Sequence, residues 1–152
     1  MYPYGQAERW FNVDLSNGQP YRIGDVYMME FYGQGSAQSG LRPGVIIQNN
    51  IGNLKSPNVV AIPLTSAIKK MNLPTHVLLR ASETGLRMDS VALCECPTSI
   101  PKGNIGAYIT TVGTRLMKEI AIAFLLEHPV LCYLDNSEVL SVKRKSHTLI
   151  AA

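Results

Sequence analysis

Cysteine is scarce in this sequence, charge is sparse, and no apolar stretch runs far without interruption. The 152 residues hold three cysteines, Cys94, Cys96 and Cys132. They are too few for a disulfide framework, and the Cys94-x-Cys96 pair lacks a second pair to complete a zinc site. All three read as free thiols in a reducing compartment. The longest apolar stretch, Ile120 to Leu134, is broken by Glu127, His128 and Pro129, which argues against a membrane span. The opening MYPYGQAERW carries an early glutamate and no apolar core of signal-peptide type, so a cytoplasmic protein is expected. The net charge is only +3, which is compatible with an anionic partner but selects none. A Walker lysine pattern, a dinucleotide fingerprint, internal repeats and low-complexity blocks are all missing, and no cofactor or metal is implied.

What is present fits one domain with a sizeable core, since 46% of the residues are apolar. Residues 1–23 form an irregular N-terminal arm rich in Gly, Pro, Asn and Tyr, pinned by Trp10 and Phe11. Residues 24–128 form the main domain, and residues 129–152 a C-terminal extension. Val26, Met28 and Glu30/Phe31 predict a first strand, and Gly33 to Pro43 a flexible loop. The β-branched runs Val45-Ile46-Ile47 and Val59 to Leu64 predict adjacent central strands. The intervening Asn49 to Pro57 reads as turn chemistry rather than helix. His76 to Leu79 and Ser90 to Cys94 continue the strands, with Gly85 at a left-handed turn position. RLMKEIAIAFLLE, after a cap at Thr114 and before Pro129, predicts an amphipathic helix over 114–127. In the tail, alternation around Val139, Ser141 and Lys143 allows one more strand, and the terminal KRKSHTLIAA is compatible with disorder. Many short strands with one helix predict a small, strongly bent sheet closed against that helix.

Few residues could carry chemistry. The three histidines do not make a catalytic pair: His76 lies within a strand in a structural setting, His128 follows the helix and suits its terminal carbonyls, and His147 is in the tail. Arg42 differs, because Pro43 restricts its backbone to extended conformations and its guanidinium can hold two phosphate oxygens. Thr65 closes the run Ala61-Ile62-Pro63-Leu64, so its hydroxyl emerges where a central strand ends; Thr65 and Ser66 also suit simple capping. Lys69, Lys70, Arg80 and Arg87 are scattered cations that could contact phosphates elsewhere, although surface placement alone would also explain them.

Gly24 to Asn53, with Ile62-Pro63-Leu64-Thr65-Ser66, Leu73-Pro74-Thr75-His76-Val77, Gly85-Leu86 and Asp89-Ser90-Val91, resembles the MazF/PemK family of type II toxin-antitoxin endoribonucleases, in order and close to its spacing. The resemblance implies an SH3-like (MazF/CcdB-type) small β-barrel with a C-terminal helix, usually a homodimer. It also implies sequence-selective, metal-independent cleavage of single-stranded RNA, leaving 2′,3′-cyclic phosphate and 5′-hydroxyl ends. Such cleavage needs a base near the 2′-hydroxyl, a cation for the phosphorane charge and an acid near the departing 5′-oxygen. Arg42 and Thr65 fall on the family's catalytic positions. Gln38 and Gly40 lie in the loop that borders the RNA groove, and Ser66, Lys69 and Lys70 are further candidates for substrate contact. The implied protein partner is an antitoxin whose acidic, apolar tail fills the groove.

The chain departs from the family pattern after Val91. Where members carry a glutamine and an arginine, this sequence has Cys96 and Thr98, so base preference does not transfer. Pro97 and Pro101 predict an edge strand or loop. The loss of that amide and cation keeps an alternative open: a catalytically silent RNA-binding module, or a protein-binding module like the gyrase-poisoning CcdB group.

Overall fold

The computed structural model describes residues 20–32, 39–67 and 73–151. Seven strands form a mainly antiparallel sheet: β1 (Asp25–Phe31), β2 (Gly40–Ile46), β3 (Asn58–Thr65), β4 (His76–Leu79), β5 (Ser90–Leu93), β6 (Thr98–Pro101) and β7 (Ile105–Thr111). The hydrogen-bonded path runs β4-β5-β3-β2-β1-β7, and β6 joins β3 off that path. β2 and β3 are neighbours, as their β-branched runs predict. The path is open, because β4 and β7 are its two ends and do not pair. β6, bounded by the two prolines, pairs only β3 and is an edge.

Both faces of the bent sheet are apolar. One cluster joins Val26, Val45, Ile62, Leu64 and Leu79 to Leu116 and Ile120 of a helix, Thr114–Glu127. The other gathers Met29, Phe31, Ile46, Val59 and Ile100. Gly44 of β2 sits against the second cluster: a Cβ there would lie 2.8 Å from Phe31 Cζ and 2.9 Å from Met29 Sδ, and both side chains are almost wholly buried. Gly44→Ala is therefore expected to lose about 1–3 kcal/mol through overpacking, read as a lower urea midpoint at unchanged slope.

Among the described residues, four α-helices interrupt or follow the strands: α1 (Asn50–Lys55), α2 (Ala81–Thr84), α3 (Thr114–Glu127) and α4 (Asn136–Ala151). Three of the sequence expectations are corrected here. Asn49 to Pro57 contains a helix, because Asn49 Oδ1 accepts the Gly52 N–H at 2.8 Å as an N-cap. Asn50 and Asn53 are buried tethers rather than turn residues. Asn50 Oδ1 accepts the Ile23 N–H at 2.8 Å, and the Asn53 amide donates to the Gln48 carbonyl at 2.9 Å. The tail is helical rather than a strand, because Asp135 and Glu138 form a capping box. Asp135 Oδ1 accepts the Glu138 N–H and Glu138 Oε2 accepts the Asp135 N–H, each at 2.9 Å. α4 then reaches back to the domain, where the Asn50 amide donates to the Ile150 carbonyl at 3.0 Å. Third, the cap of α3 is Gly113, with Thr114 already helical.

β7 is missing from the sequence reading. Its residues are mostly exposed, and its register on β1 shifts twice, so Ile105–Thr111 shows no clean apolar alternation. Gly85 takes the left-handed conformation foreseen for it, with φ of 76°, closing α2. His128 meets its expectation too: its Nδ1 lies 3.0 Å from the Phe124 carbonyl and its ring stacks on Phe124. Trp10 and Phe11 lie outside the described residues.

Candidate active site

The strand β2 begins at Gly40, so the predicted loop ends sooner than expected and Arg42 is carried by paired backbone opposite Met29 of β1. This fixes the root of its side chain more firmly than a loop would. On the other side, β2 meets β3 with Gly44 opposite Pro63 and Val45 opposite Ile62. Arg42 and Thr65 each lie two residues beyond the Gly44–Pro63 end of that ladder, with Thr65 paired to Val91 of β5. Leu64, almost wholly buried, anchors the end of β3 in the core, while Thr65 is half-buried.

Arg42, Thr65 and Ser66 line one cleft of about 580 Å³. Its floor is apolar, with Met28, Pro43, Leu64 and Ile109 among its walls. The segment after Gly85 contributes Leu86, Arg87, Met88 and Ser90 to the lining. Among the described residues, the lining has two guanidinium groups and no carboxylate, which makes it a place for an anion. One Nη of Arg42 donates to the Ser39 carbonyl at 2.8 Å, holding the guanidinium beside the start of β2. Thr65 Oγ1 accepts the Ala67 N–H at 3.2 Å. The capping role expected of this residue is thus present. It uses an acceptor lone pair and leaves the hydroxyl proton available to a ligand oxygen.

The other predicted residues divide. Gly40 is exposed at the start of β2, with φ of 92°, beside the lining residue Leu41 rather than in the lining itself. Gln38, Lys69 and Lys70 lie outside the described residues. Cys96 and Thr98 stand away from the cleft lining, with the Thr98 hydroxyl donating to the Cys96 carbonyl at 2.9 Å. In the sequence Arg87 stands with Lys69, Lys70 and Arg80 as a cation with two readings, phosphate contact or plain surface placement, and the fold puts it in the cleft lining.

His76, Glu95 and Cys94 are engaged in the fold and are not among the lining residues of the cleft. His76 Nε2 lies 2.8 Å from Glu95 Oε1, and the Thr75 hydroxyl donates to Glu95 Oε2 at 3.1 Å. Burial, reinforced by the charge of Glu95, pushes the Cys94 thiol up to about 12, so it stays protonated and inert. The three cysteines are free thiols. Among the described residues, no helix is long and apolar enough to cross a membrane.

The family model for the PemK-like, MazF-like toxin of type II toxin-antitoxin systems matches residues 22–126. The chain belongs to that family. The endoribonuclease MazF of Staphylococcus saprophyticus is 41% identical to this toxin over 100 residues, covering 65% of this chain and 83% of the relative. A mycobacterial endoribonuclease, solved in complex with its cognate antitoxin, superposes with a TM-score of 0.59 at 25% identity, over 73% of this chain and 96% of that one. A MazE-MazF structure from Deinococcus radiodurans gives the same TM-score at 20% identity, over 75% of this chain and 99% of that one, and supports the fold alone. The match spans the whole cleft, whereas α4 lies beyond it.

Proposed function

We propose that this endoribonuclease toxin cuts single-stranded RNA at selected sequences without a metal ion, by attack of the 2′-hydroxyl on the adjacent phosphodiester. The carrying observation is that Arg42 and Thr65, from neighbouring strands, line one cleft that has no carboxylate among its described residues. In the reaction a 2′-O–P bond forms and the P–5′-O bond breaks. The 2′-hydroxyl gives up a proton and the departing 5′-oxygen gains one, which leaves a 2′,3′-cyclic phosphate and a 5′-hydroxyl. Arg42 supplies fixed positive charge to the phosphorane oxygens, where a guanidinium can bond two at once. Its resistance to deprotonation makes charge stabilisation its main role, with proton delivery to the 5′-oxygen the secondary one. Thr65 donates its hydroxyl proton to a phosphate oxygen while the Ala67 N–H holds that hydroxyl in place. Ser66 and Gly40 are read as substrate contacts, and Gln38, Lys69 and Lys70, outside the described residues, as further ones.

The same reading extends to architecture and partners. The open, bent sheet is read as an SH3-like barrel, residues 24–128 as the toxin domain, and residues 1–23 and 129–152 as additions to it. Two copies make a longer groove than one small sheet offers. An antitoxin with an acidic, apolar tail fits a cleft whose charges are guanidinium and whose floor is apolar. The cytoplasm, where RNA and reduced thiols coexist, is the matching compartment.

Incubation of the purified protein with a long mixed-sequence RNA in EDTA, followed by mapping of the cut ends, tests the proposal. Discrete cuts with 5′-hydroxyl ends support it. Intact RNA beside folded protein moves the cleft to the silent-binding or protein-binding alternative. Thr65→Ala is expected to slow single-turnover cleavage about tenfold or more, the loss of one hydrogen bond to a charged group, with Thr65→Ser close to the parent.

A further inference from the structure

We propose that Arg87 grips a second phosphodiester of the bound RNA, next to the one held by Arg42 and Thr65, and so positions the strand in the cleft. This rests on the RNA-cleaving reading of the same site. Arg87 is exposed and lines the same cleft as Arg42 of β2 and Thr65 of β3. Among the described residues it makes no ion pair, in contrast to Arg115, which is held by Glu83 and Glu119. With no carboxylate partner for Arg87 and no carboxylate in the cleft lining among the described residues, its fork is available for an incoming anion.

The backbone that carries Arg87 is fixed at both ends. Before it, Gly85 is left-handed and Leu86 is buried in the core. The Leu86 N–H donates to Thr84 Oγ1 at 3.2 Å, and the Thr110 hydroxyl donates to the Thr84 carbonyl at 2.6 Å. After it, the Ser90 hydroxyl donates to the Met88 carbonyl at 3.0 Å, and Asp89 Oδ1 accepts the Ala81 N–H at 2.7 Å. Asp89 is thereby engaged with the start of α2. The exposed side chains of Arg87 and Met88 remain to meet a ligand. A cation on a braced turn loses little backbone freedom on binding, which is what a positioning contact requires.

A phosphate contact of this kind holds ground state and transition state alike, so its loss is expected in KM rather than in kcat. With the full chain and an RNA oligonucleotide containing one mapped cut site, Arg87→Ala is expected to raise KM about three- to tenfold, with Arg87→Lys in between. The salt dependence discriminates further: each phosphate neutralised on a single strand contributes a slope of about −0.7 in log affinity against log salt, so the variant's slope should be shallower by about that much. Affinity is measured with a 2′-O-methyl version of the oligonucleotide, which cannot be cut, so binding is read separately from cleavage. An unchanged slope and KM in Arg87→Ala, with a parent that cuts RNA, overturns this inference alone. Altered cut-site sequence at an unchanged slope also overturns it, since that marks a base contact. A parent that neither binds nor cuts RNA overturns the functional reading on which the inference rests.

Discussion

Arg42→Ala is expected to lower the cleavage rate about 10²- to 10³-fold, the ~2.7–4 kcal/mol typical of removing one group aimed at developing charge. The same variant should keep its far-UV circular dichroism and remain monodisperse. The strand around Arg42 is held by pairing with β1 and by the apolar anchors Val45 and Ile46, none of which the truncation touches. Arg42→Lys keeps the charge but loses the planar fork that bonds two oxygens together, so it should fall between parent and alanine variant. A folded Arg42→Ala protein cutting at the parental rate would show that the chemistry lies elsewhere.

Leu64→Ala should show the largest loss of stability among these variants, about 2–5 kcal/mol, measured as a fall in urea or thermal midpoint. Leu64 is almost wholly buried within the cluster beneath α3, and it also lines the cleft. Two consequences follow from that double placement. The vacated volume opens toward the cleft, so water can reach a wall that was apolar. The end of β3 loses the anchor that sets the position of Thr65, and at temperatures where the variant is fully folded its cleavage should also be slower than the parent's. Retained stability would mean that β3 closes over the gap. Retained activity would mean that the cleft does not depend on this anchor.

Much of this site was legible in the chain because it rests on local rules. A β-branched run ending in Thr65 placed that hydroxyl at a strand end, and Arg42-Pro43 fixed an extended backbone. Strand adjacency then brought the two into one cleft. Arg87 was less visible: the sequence offered it only as one of several scattered cations, and its place in the cleft lining comes from tertiary structure. The fold shows the same division. The apolar, buried strands β1, β3, β4 and β5 announce themselves, whereas β7 is exposed and irregular and is defined by its partner. The asparagines of α1 carry two opposite meanings, turn formation and capping, and burial of Asn50 and Asn53 decides between them. For α4 the Asp135 and Glu138 spacing was available as a helix-start signal, and the apparent alternation after it pointed the other way.

The attack by a 2′-hydroxyl can be tested on a single nucleotide. Once the cut site is mapped, an RNA oligonucleotide is made with a 2′-deoxy residue on the 5′ side of the scissile phosphate only, and its cleavage and binding are compared with those of the all-ribose strand. Unchanged binding with cleavage abolished is the expected result, because the nucleophile is gone while the contacts of Arg42, Thr65 and Arg87 to phosphate remain. Cleavage of the deoxy strand at an undiminished rate would contradict it, since the nucleophile would then be water and the cleft would work by another mechanism.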